Sequence, residues 1–351
     1  MLYYNIFIMN GNKRITLQEI SRESGCSLAV VSRALSSNAL QHRSVAPETA
    51  ARVVAIARKL GWIPRRTVRS RRPIGVVGVF LPRSGSSLML ELLDSINENI
   101  RKYNTPVYCY SSADAGCFRQ FCENHLTGNS NVGAVSYFPP AVDDVPAFME
   151  MYEKFCRRDA PLVIVHNNAP DDFPAISVKV DNFYGGKLAG EHLLQCQCRR
   201  VFIFGQSRQK YRYERLLGCC EALNQHGIAY QTVVNIEEFK QEDLLSMLKQ
   251  IEQSVDWRAP EPVGILADGM HAALTIHNYF QSKGVAIGGK LKIVCYDDSP
   301  LISSAYPALT AVRQPFASMG ELAVKKLFNL MNGLSEKSAL LKPELIIRQS
   351  T

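Results

Sequence analysis

The residues best equipped for chemistry in this 351-residue chain are an arginine and two aspartates that fall at the ends of short apolar or amphipathic runs. Asp268 follows the run Val263 to Ala267, Asp297 follows Leu291 to Tyr296, and Arg215 stands at the start of an amphipathic stretch reaching His226. Ligands of open parallel sheets sit beyond the carboxyl ends of strands, where both aspartates fall. A carboxylate accepts from hydroxyls or ligand amines, and an arginine donates in a planar fork, so this set suits a small polyhydroxylated or polar ligand. Each residue taken singly also fits a loop cap or a surface ion pair; the constellation points to binding. Catalysis has no comparable support. The chain holds no Gly-x-Ser-x-Gly, no His-Glu-x-x-His and no phosphate-binding glycine loop ending in Lys-Ser or Lys-Thr, while His192 and His271 lie on helical stretches and read as caps or core contacts. We expect no enzyme and no cofactor.

A second chemical face lies near the start of the chain. Ile15 to Ser36 reads as two short helices joined by a tight turn. Thr16 can cap the first helix with Glu19 reaching back as a capping box, and Leu17, Ile20 and Ser21 share one face. Gly25 ends that helix, Ser24 to Cys26 form the turn, and Ser27 caps the second helix. Val31 and Leu35 turn inward, which leaves Leu28, Ala29, Ser32 and Arg33 outward as a contact face. Residues 47 to 60 supply a third helix, with Pro47 in its first turn, Ala50, Val53, Ala57 and Leu60 inward, Gly61 just past its end and Trp62 closing the small core.

Charge is concentrated around that face. Residues 1 to 73 carry 13 Lys and Arg against 3 Glu, a net of +10, while the remaining 278 carry 27 against 29, a net of −2. A small unit with that excess suits a polyanion, and a near-neutral remainder suits a different task. Arg65 to Pro73, RRTVRSRRP, has five arginines in nine residues and nothing to build a core. Free in solution it reads as a solvated linker; beside DNA, Arg65, Arg66, Arg69 and Arg71 can line phosphates or enter the minor groove.

Beyond Pro73 short apolar runs alternate with amphipathic stretches, the pattern of parallel strands covered on both faces. Ile74 to Leu81, Val107 to Tyr110, Val132 to Phe138 and Leu162 to His166 read as strands of one doubly wound layer. Asn167 to Pro174 reads as a crossing, after which Ile176 to Val180, Arg200 to Phe204, Thr232 to Ile236, Val263 to Ala267 and Leu291 to Tyr296 form a second layer facing the first across a cleft. The ten cysteines include no Cys-x-x-Cys pair and read as small core residues of a reducing cytoplasm, with no metal bound. The opening MLYYNIFIM lacks the basic start and cleavage site of a signal peptide, and no run approaches the ~20 apolar residues that span a membrane. A soluble, cytoplasmic protein is expected.

These residues resemble the lactose-repressor and galactose-repressor type of bacterial transcription regulator. The likeness runs through Thr16-Leu-Gln-Glu-Ile, Ser24-Gly-Cys-Ser27, Val31-Ser32-Arg33-Ala34-Leu35 and Thr49 to Pro64. It continues, more loosely, in Val180-Asp181-Asn182, Arg215-Leu-Leu-Gly218, Val294-Cys-Tyr-Asp297-Asp298, Pro307 to Phe316 and Leu345-Ile-Ile-Arg348. The resemblance implies a multidomain chain: an all-α helix-turn-helix head of three helices over 1–64, a basic linker over 65–73, and an α/β periplasmic-binding-protein-like domain over 74–351. That domain would hold two doubly wound parallel-sheet subdomains, about 74–172 plus 312–330 and about 173–311 plus 331–351.

By the same resemblance Leu28 and Ala29 choose bases, Arg33 reads a guanine, and Thr16, Ser27 and Ser32 hold phosphates of a double-stranded operator. Arg215, Asp297 and Phe316 match effector-binding positions for a sugar-like small molecule. Asp268 is followed by Gly269 where most members have Asn-Asp, so contacts there differ. A homodimer is expected, because one three-helix head offers little contact and twofold operators match twofold proteins. A transporter's solute-binding receptor, the alternative from another class, would need an export signal and no basic head. The chain departs from the family in one further respect: only Arg65 to Pro73 separates head from first strand, and the groove-wedging leucine of the usual hinge helix is replaced by Arg71, or Arg69 in a shifted register. Charge and a narrow A·T-rich groove would then replace the wedge. Finally, if Arg215 and Asp297 serve the ligand and not the fold, replacing either should leave the melting temperature unchanged.

Overall fold

The computed structural model describes residues 15–35, 45–60, 74–82, 87–110, 115–126, 131–137, 145–165, 175–205, 209–233 and 241–351. The chain divides into two compact units between Val68 and Arg69. Trp62, Arg65, Arg66, Arg69 and Arg71 lie outside the described residues, as does the expected crossing from Asn167 to Pro174.

The first unit contains α1 (Leu17–Ser24), α2 (Leu28–Ala34) and α3 (Pro47–Lys59). Local chemistry sets each boundary. The Glu19 backbone N–H donates to Thr16 Oγ1 at 3.3 Å, and the Thr16 backbone N–H donates to Glu19 Oε2 at 2.7 Å, completing the capping box. Gly25 takes the left-handed conformation (φ 66°) that closes α1, Ser21 Oγ donates to the Cys26 carbonyl at 2.6 Å across the turn, and Ser27 Oγ caps α2 by accepting from Val30 N–H at 3.4 Å. Ile20, Val31, Ala34, Val45, Ala50, Val53 and Ala57 form the core. That core is small and aliphatic, so the unit leans on its caps, each worth about 1 kcal/mol, more than a larger domain would.

Among the described residues the second unit is built from two six-stranded sheets. The first contains β1 (Ile74–Phe80), β2 (Val107–Tyr110), β3 (Asn131–Tyr137), β4 (Leu162–Val165), β5 (Ile176–Val180) and β11 (Ala339–Leu341), in the order β11-β5-β4-β3-β1-β2. The second contains β6 (Arg200–Phe204), β7 (Ala229–Val233), β8 (Val263–Asp268), β9 (Leu291–Tyr296), β10 (Thr310–Arg313) and β12 (Glu344–Ile346), in the order β12-β10-β9-β8-β6-β7. All pairs are parallel except β10 with β12. The inner strands are therefore apolar on both faces: Val77 and Val79 enter one core of the first sheet while Phe80, Ala134 and Ile164 enter the other.

The helices are α4 (Ser87–Arg101), α5 (Ala115–His125), α6 (Val145–Arg157), α7 (Asn182–Gln195), α8 (Lys210–Gln225), α9 (Gln241–Ser254), α10 (Met270–Ser282), α11 (Pro300–Ser304) and α12 (Phe316–Met331).

The division between subdomains differs from the expected one in two places. β5 belongs to the first sheet, with Val163 opposite Ile176 and Val165 opposite Val178. The chain thus changes sheets at Asp181, after β5 rather than before it, because Val178 and Val180 complete the first core. Residues 331–351 are also shared: β11 pairs with β5 in the first sheet and β12 with β10 in the second, which adds a third crossing between Leu341 and Glu344.

The tightest constraint lies between α7 and α8. A Cβ on Gly186 would stand 1.9 Å from the Arg215 carbonyl oxygen, and one on Gly218 would stand 2.0 Å from that of Phe183. Each glycine thus lets one helix's backbone rest on the other's. Gly186→Ala and Gly218→Ala should each force the helices apart and cost about 1 to 3 kcal/mol of stability, the range typical of overpacking, read as a lowered urea midpoint. Midpoints equal to wild type would mean that the helices do not approach so closely.

Candidate functional site

The outward face of the head is arranged as its sequence suggests. Thr16, Ser27, Leu28, Ala29, Ser32 and Arg33 are all exposed, and Leu28 is 45% exposed although apolar. Arg33 Nε donates to the Ala29 carbonyl at 3.1 Å, one turn back on α2, and no hydrogen bond among the described residues ties its terminal amines. The fork is therefore propped outward along the helix. A contact not foreseen from sequence supports the turn from behind: Arg52 Nη2 donates to Cys26 Sγ at 3.4 Å and holds that thiol below its ordinary pKa.

In the second unit the strand order reverses between β6 and β8, the position where doubly wound sheets bind ligands. Asp268 ends β8, Asp297 follows β9, and Arg215 reaches both from α8. Arg215 does not begin its helix: α8 starts at Lys210, so the guanidinium projects from the second turn. It is 3% exposed. Its Nη1 donates to Asp268 Oδ1 at 2.7 Å, its Nε to Asn182 Oδ1 at 2.9 Å, and its Nη2 stands 3.8 Å from Asp297 Oδ1. The Tyr296 ring lies beneath it at 3.7 Å and that of Tyr211 at 5.0 Å. Burial alone would lower the pKa of Arg215, and the charges of Asp297 and Asp268 more than reverse that.

Asp297 has a left-handed backbone (φ 83°), which Asp adopts more readily than most residues, and its Oδ1 accepts from Gln314 Nε2. Tyr137, at the end of β3 in the first subdomain, interacts electrostatically with Tyr211, Arg215, Asp297 and Arg212; burial pushes its hydroxyl well above the usual pKa. The two subdomains thus meet over Arg215.

Arg215, Asp268 and Asp297 are brought together, whereas Phe316 begins α12 on the other subdomain, 4% exposed in the core cluster that also holds Tyr137. Asn182, Gln314, Tyr137, Tyr211 and Tyr296 complete the environment and were not foreseen. The sequence signals for two of them are positional: Asn182 and Gln314 stand in the segments that carry the chain between sheets.

Next to Asp297, Asp298 holds a separate network. Its Oδ2 accepts from Arg313 Nε at 3.0 Å, Arg313 Nη2 at 2.7 Å and Arg348 Nη2 at 2.9 Å. Burial would raise its pKa, but those arginines hold it below the ordinary carboxylate value. A cavity of about 990 Å³ opens beside it, with Glu91, Asp94, Glu98 and Glu321 in its wall, and none of Arg215, Asp268, Asp297 or Phe316 lines it.

Comparison with known proteins places this geometry. Residues 16–65 match the family model of bacterial regulatory proteins, lacI family, and residues 191–351 match a periplasmic binding protein-like domain. The ribose operon repressor of Bacillus subtilis is 24% identical over 90% of this chain and 91% of its own length, and the HTH-type transcriptional regulator MalR of Streptomyces coelicolor is 26% identical over 95% and 96%. Among solved structures, the lac repressor dimer bound to operator superposes with a TM-score of 0.64 at 18% identity, covering 96% of this chain and 99% of that one. The complex of the regulator CelR with cellobiose gives 0.62 at 20% identity, covering 96% and 100%. The chain thus joins a helix-turn-helix head of the lacI family of bacterial regulatory proteins to a two-sheet domain of the periplasmic-binding-protein type.

The buried pairing changes one expectation. A guanidinium enclosed between two carboxylates serves the fold as well as any ligand, and removing one partner of such a group leaves uncompensated charge that costs about 3 to 5 kcal/mol. Arg215→Ala should therefore lower stability by that order in chemical denaturation, not leave it unchanged. A variant as stable as wild type would restore the view that Arg215 serves only the ligand.

Proposed function

We propose that this protein is a ligand-responsive transcription repressor whose affinity for a double-stranded operator is set by a small, polar, sugar-like effector held at Arg215, Asp268 and Asp297, with Phe316 on the facing subdomain. The observation that carries the reading is the pairing of two devices in one chain: an exposed, basic recognition face on a three-helix head, and a closed polar cluster at the switch point of a two-subdomain fold. No helix among the described residues is long and apolar enough to cross a membrane, which accords with a DNA-bound regulator of the cytoplasm. The protein acts as a homodimer: one head is too small for specific binding, and Leu90 and Leu301 expose 56% and 65% of their surface at and near the rim of the cavity beside Asp298. No catalytic role is part of this reading: Asp268, Asp297 and Asp298 are each paired with arginines.

On DNA, Arg33 donates to guanine, Leu28 and Ala29 touch thymine methyls, and Thr16, Ser27 and Ser32 hold phosphates. Arg65, Arg66, Arg69 and Arg71 follow the operator centre by charge. Arg33→Ala should weaken the specific site by about 1 to 3 kcal/mol and random DNA little; equal losses on both in a mobility-shift titration would make Arg33 a phosphate contact. Replacing Arg69, Arg71 and Arg72 by Gln should flatten the slope of log affinity against log salt by roughly 0.9 for each phosphate that is no longer neutralised. An unchanged slope would take the linker off the DNA.

A further inference from the structure

The cavity beside Asp298, about 990 Å³ in volume, has a wall whose charge nothing in the described residues answers. α4 and α12 form that wall, and they pack closely: Ser95 Oγ donates to the Ala317 carbonyl at 2.6 Å, and a Cβ on Gly320 would stand 2.7 Å from Ser95 Oγ. Glu91, Asp94 and Glu98 follow one another on α4 at three- and four-residue steps and so share one helix face, while Glu321 of α12 lines the same cavity. Like charges at those steps repel. Among the described residues none of the four forms an ion pair or a hydrogen bond. The cations lining the cavity are engaged: Lys102 Nζ donates to Asn99 Oδ1 at 2.7 Å, and Arg313 and Arg348 hold Asp298 Oδ2.

A row of carboxylates on a helix is often no more than a solvated face. Asp298 makes the difference here. It lines the cavity from the second subdomain, its side chain is 5% exposed, and its Oδ1 is buried with no hydrogen-bond partner. A carboxylate oxygen only accepts, so what is missing there is a donor. Both sides of the cavity therefore call for one chemistry, positive charge carried on N–H groups. A metal ion does not meet it, because no group of three or more His, Cys, Asp or Glu among the described residues could hold one. The spacing asks for an extended occupant: along α4 the carboxylates advance by about 4.5 and then about 6 Å, a run that amines joined by short methylene spacers can follow. Arg313 can make room. Its side chain is 45% exposed and its Nη1 stands 3.3 Å from Glu344 Oε1, so an ammonium can take its place at Asp298 without stranding the guanidinium.

We propose that this cavity is a second ligand site, separate from the Arg215 cluster, and that its occupant is a linear polyamine lying along Glu91, Asp94 and Glu98 with one ammonium donating to Asp298. Because α4 belongs to the first subdomain and Asp298 to the second, the polyamine bridges them.

The test uses the full chain without DNA, since polyamines also bind phosphates. Spermidine should raise the melting temperature, and putrescine should raise it less. Magnesium chloride and sodium chloride at matched ionic strength should do little; a shift as large as spermidine's from either would reduce the effect to screening and overturn the site. Calorimetric affinity for spermidine should fall roughly tenfold or more when Glu91→Gln and Glu98→Gln are combined, because the amines bind as linked groups. Both positions are exposed, so the fold tolerates the change. Combining Glu242→Gln and Asp243→Asn removes the same charge from exposed positions on α9 and should leave affinity unchanged; equal losses in the two pairs would make net charge the cause and overturn the site. Arg313→Met removes the competitor for Asp298 and should tighten spermidine binding, whereas unchanged affinity would overturn the part given to Asp298. No shift with spermidine, as when the partner subunit of a dimer fills the cavity, would overturn the proposal outright.

Discussion

A guanidinium stripped of water is the constraint around which the ligand-binding unit is arranged. Arg215 is enclosed on every side, and a charge in that position persists only with matched carboxylates and filled hydrogen bonds. The second sheet supplies the carboxylates from two strand ends, Asp268 and Asp297, and Tyr296 supplies an aromatic floor. The approach of α7 to α8 is the mechanical condition for all of this. Asn182 reaches Arg215 Nε because Gly186 and Gly218 let the two helix backbones nearly touch. A side chain at either glycine would push Asn182 and Arg215 apart, and the guanidinium would lose one acceptor before it lost either aspartate.

How much of this could be read in advance depended on how local the cause was. Thr16 with Glu19, Gly25 and Ser27 were legible because a cap is decided by residues within one turn of it. The alternation of apolar runs gave away both sheets, since a strand covered on two faces has no polar side to confuse it. Sheet membership was a different matter. Ile176–Val180 has the same apolar character as the strands of either layer, and only its pairing with Leu162–Val165 just upstream and Ala339–Leu341 far along the chain assigns it to the first. The start of α8 was obscured for a related reason: Lys210 to Glu214 is polar or aromatic throughout, so the apolar period that marks a helix begins only at Leu216.

The site shows the same division. Asp268 and Asp297 were legible because the ends of parallel strands are where such folds place their ligands, and the chain order alone identifies strand ends. Arg212 and Tyr137 were not, because what places them beside the cluster is decided between elements: Arg212 meets Asp268 across α8 and β8, and Tyr137 interacts with Arg215 across the two subdomains. Phe316 had the reverse fate, because its position in the chain matched a ligand contact while its side chain lies buried among the first core's Val180, Met319 and Tyr137. A role for it toward a ligand runs through the face it gives that core, not through membership of the charged cluster.

These placements bear on how a ligand could be felt beyond its own contacts. A ligand shifts a conformational equilibrium only by the difference in its affinity for the two states. A movement of one subdomain against the other would have to pass through the segments joining them, so a site whose polar partners all belonged to one rigid sheet would be insulated from it. Here they do not. Asn182 stands where the chain first leaves the first sheet and accepts from Arg215, while Gln314 stands where the chain returns and donates to Asp297. Any ligand group that takes over part of Arg215 or Asp297 must therefore compete with residues in two of the three crossings, and the strength of that competition changes with the angle at which those crossings are set. Asp268, whose side chain is nearly sealed, cannot exchange its partner freely, because an unpaired buried carboxylate is costly. Any coupling between this cluster and the crossings would thus rest on the same scarcity of water that makes Arg215 need its carboxylates.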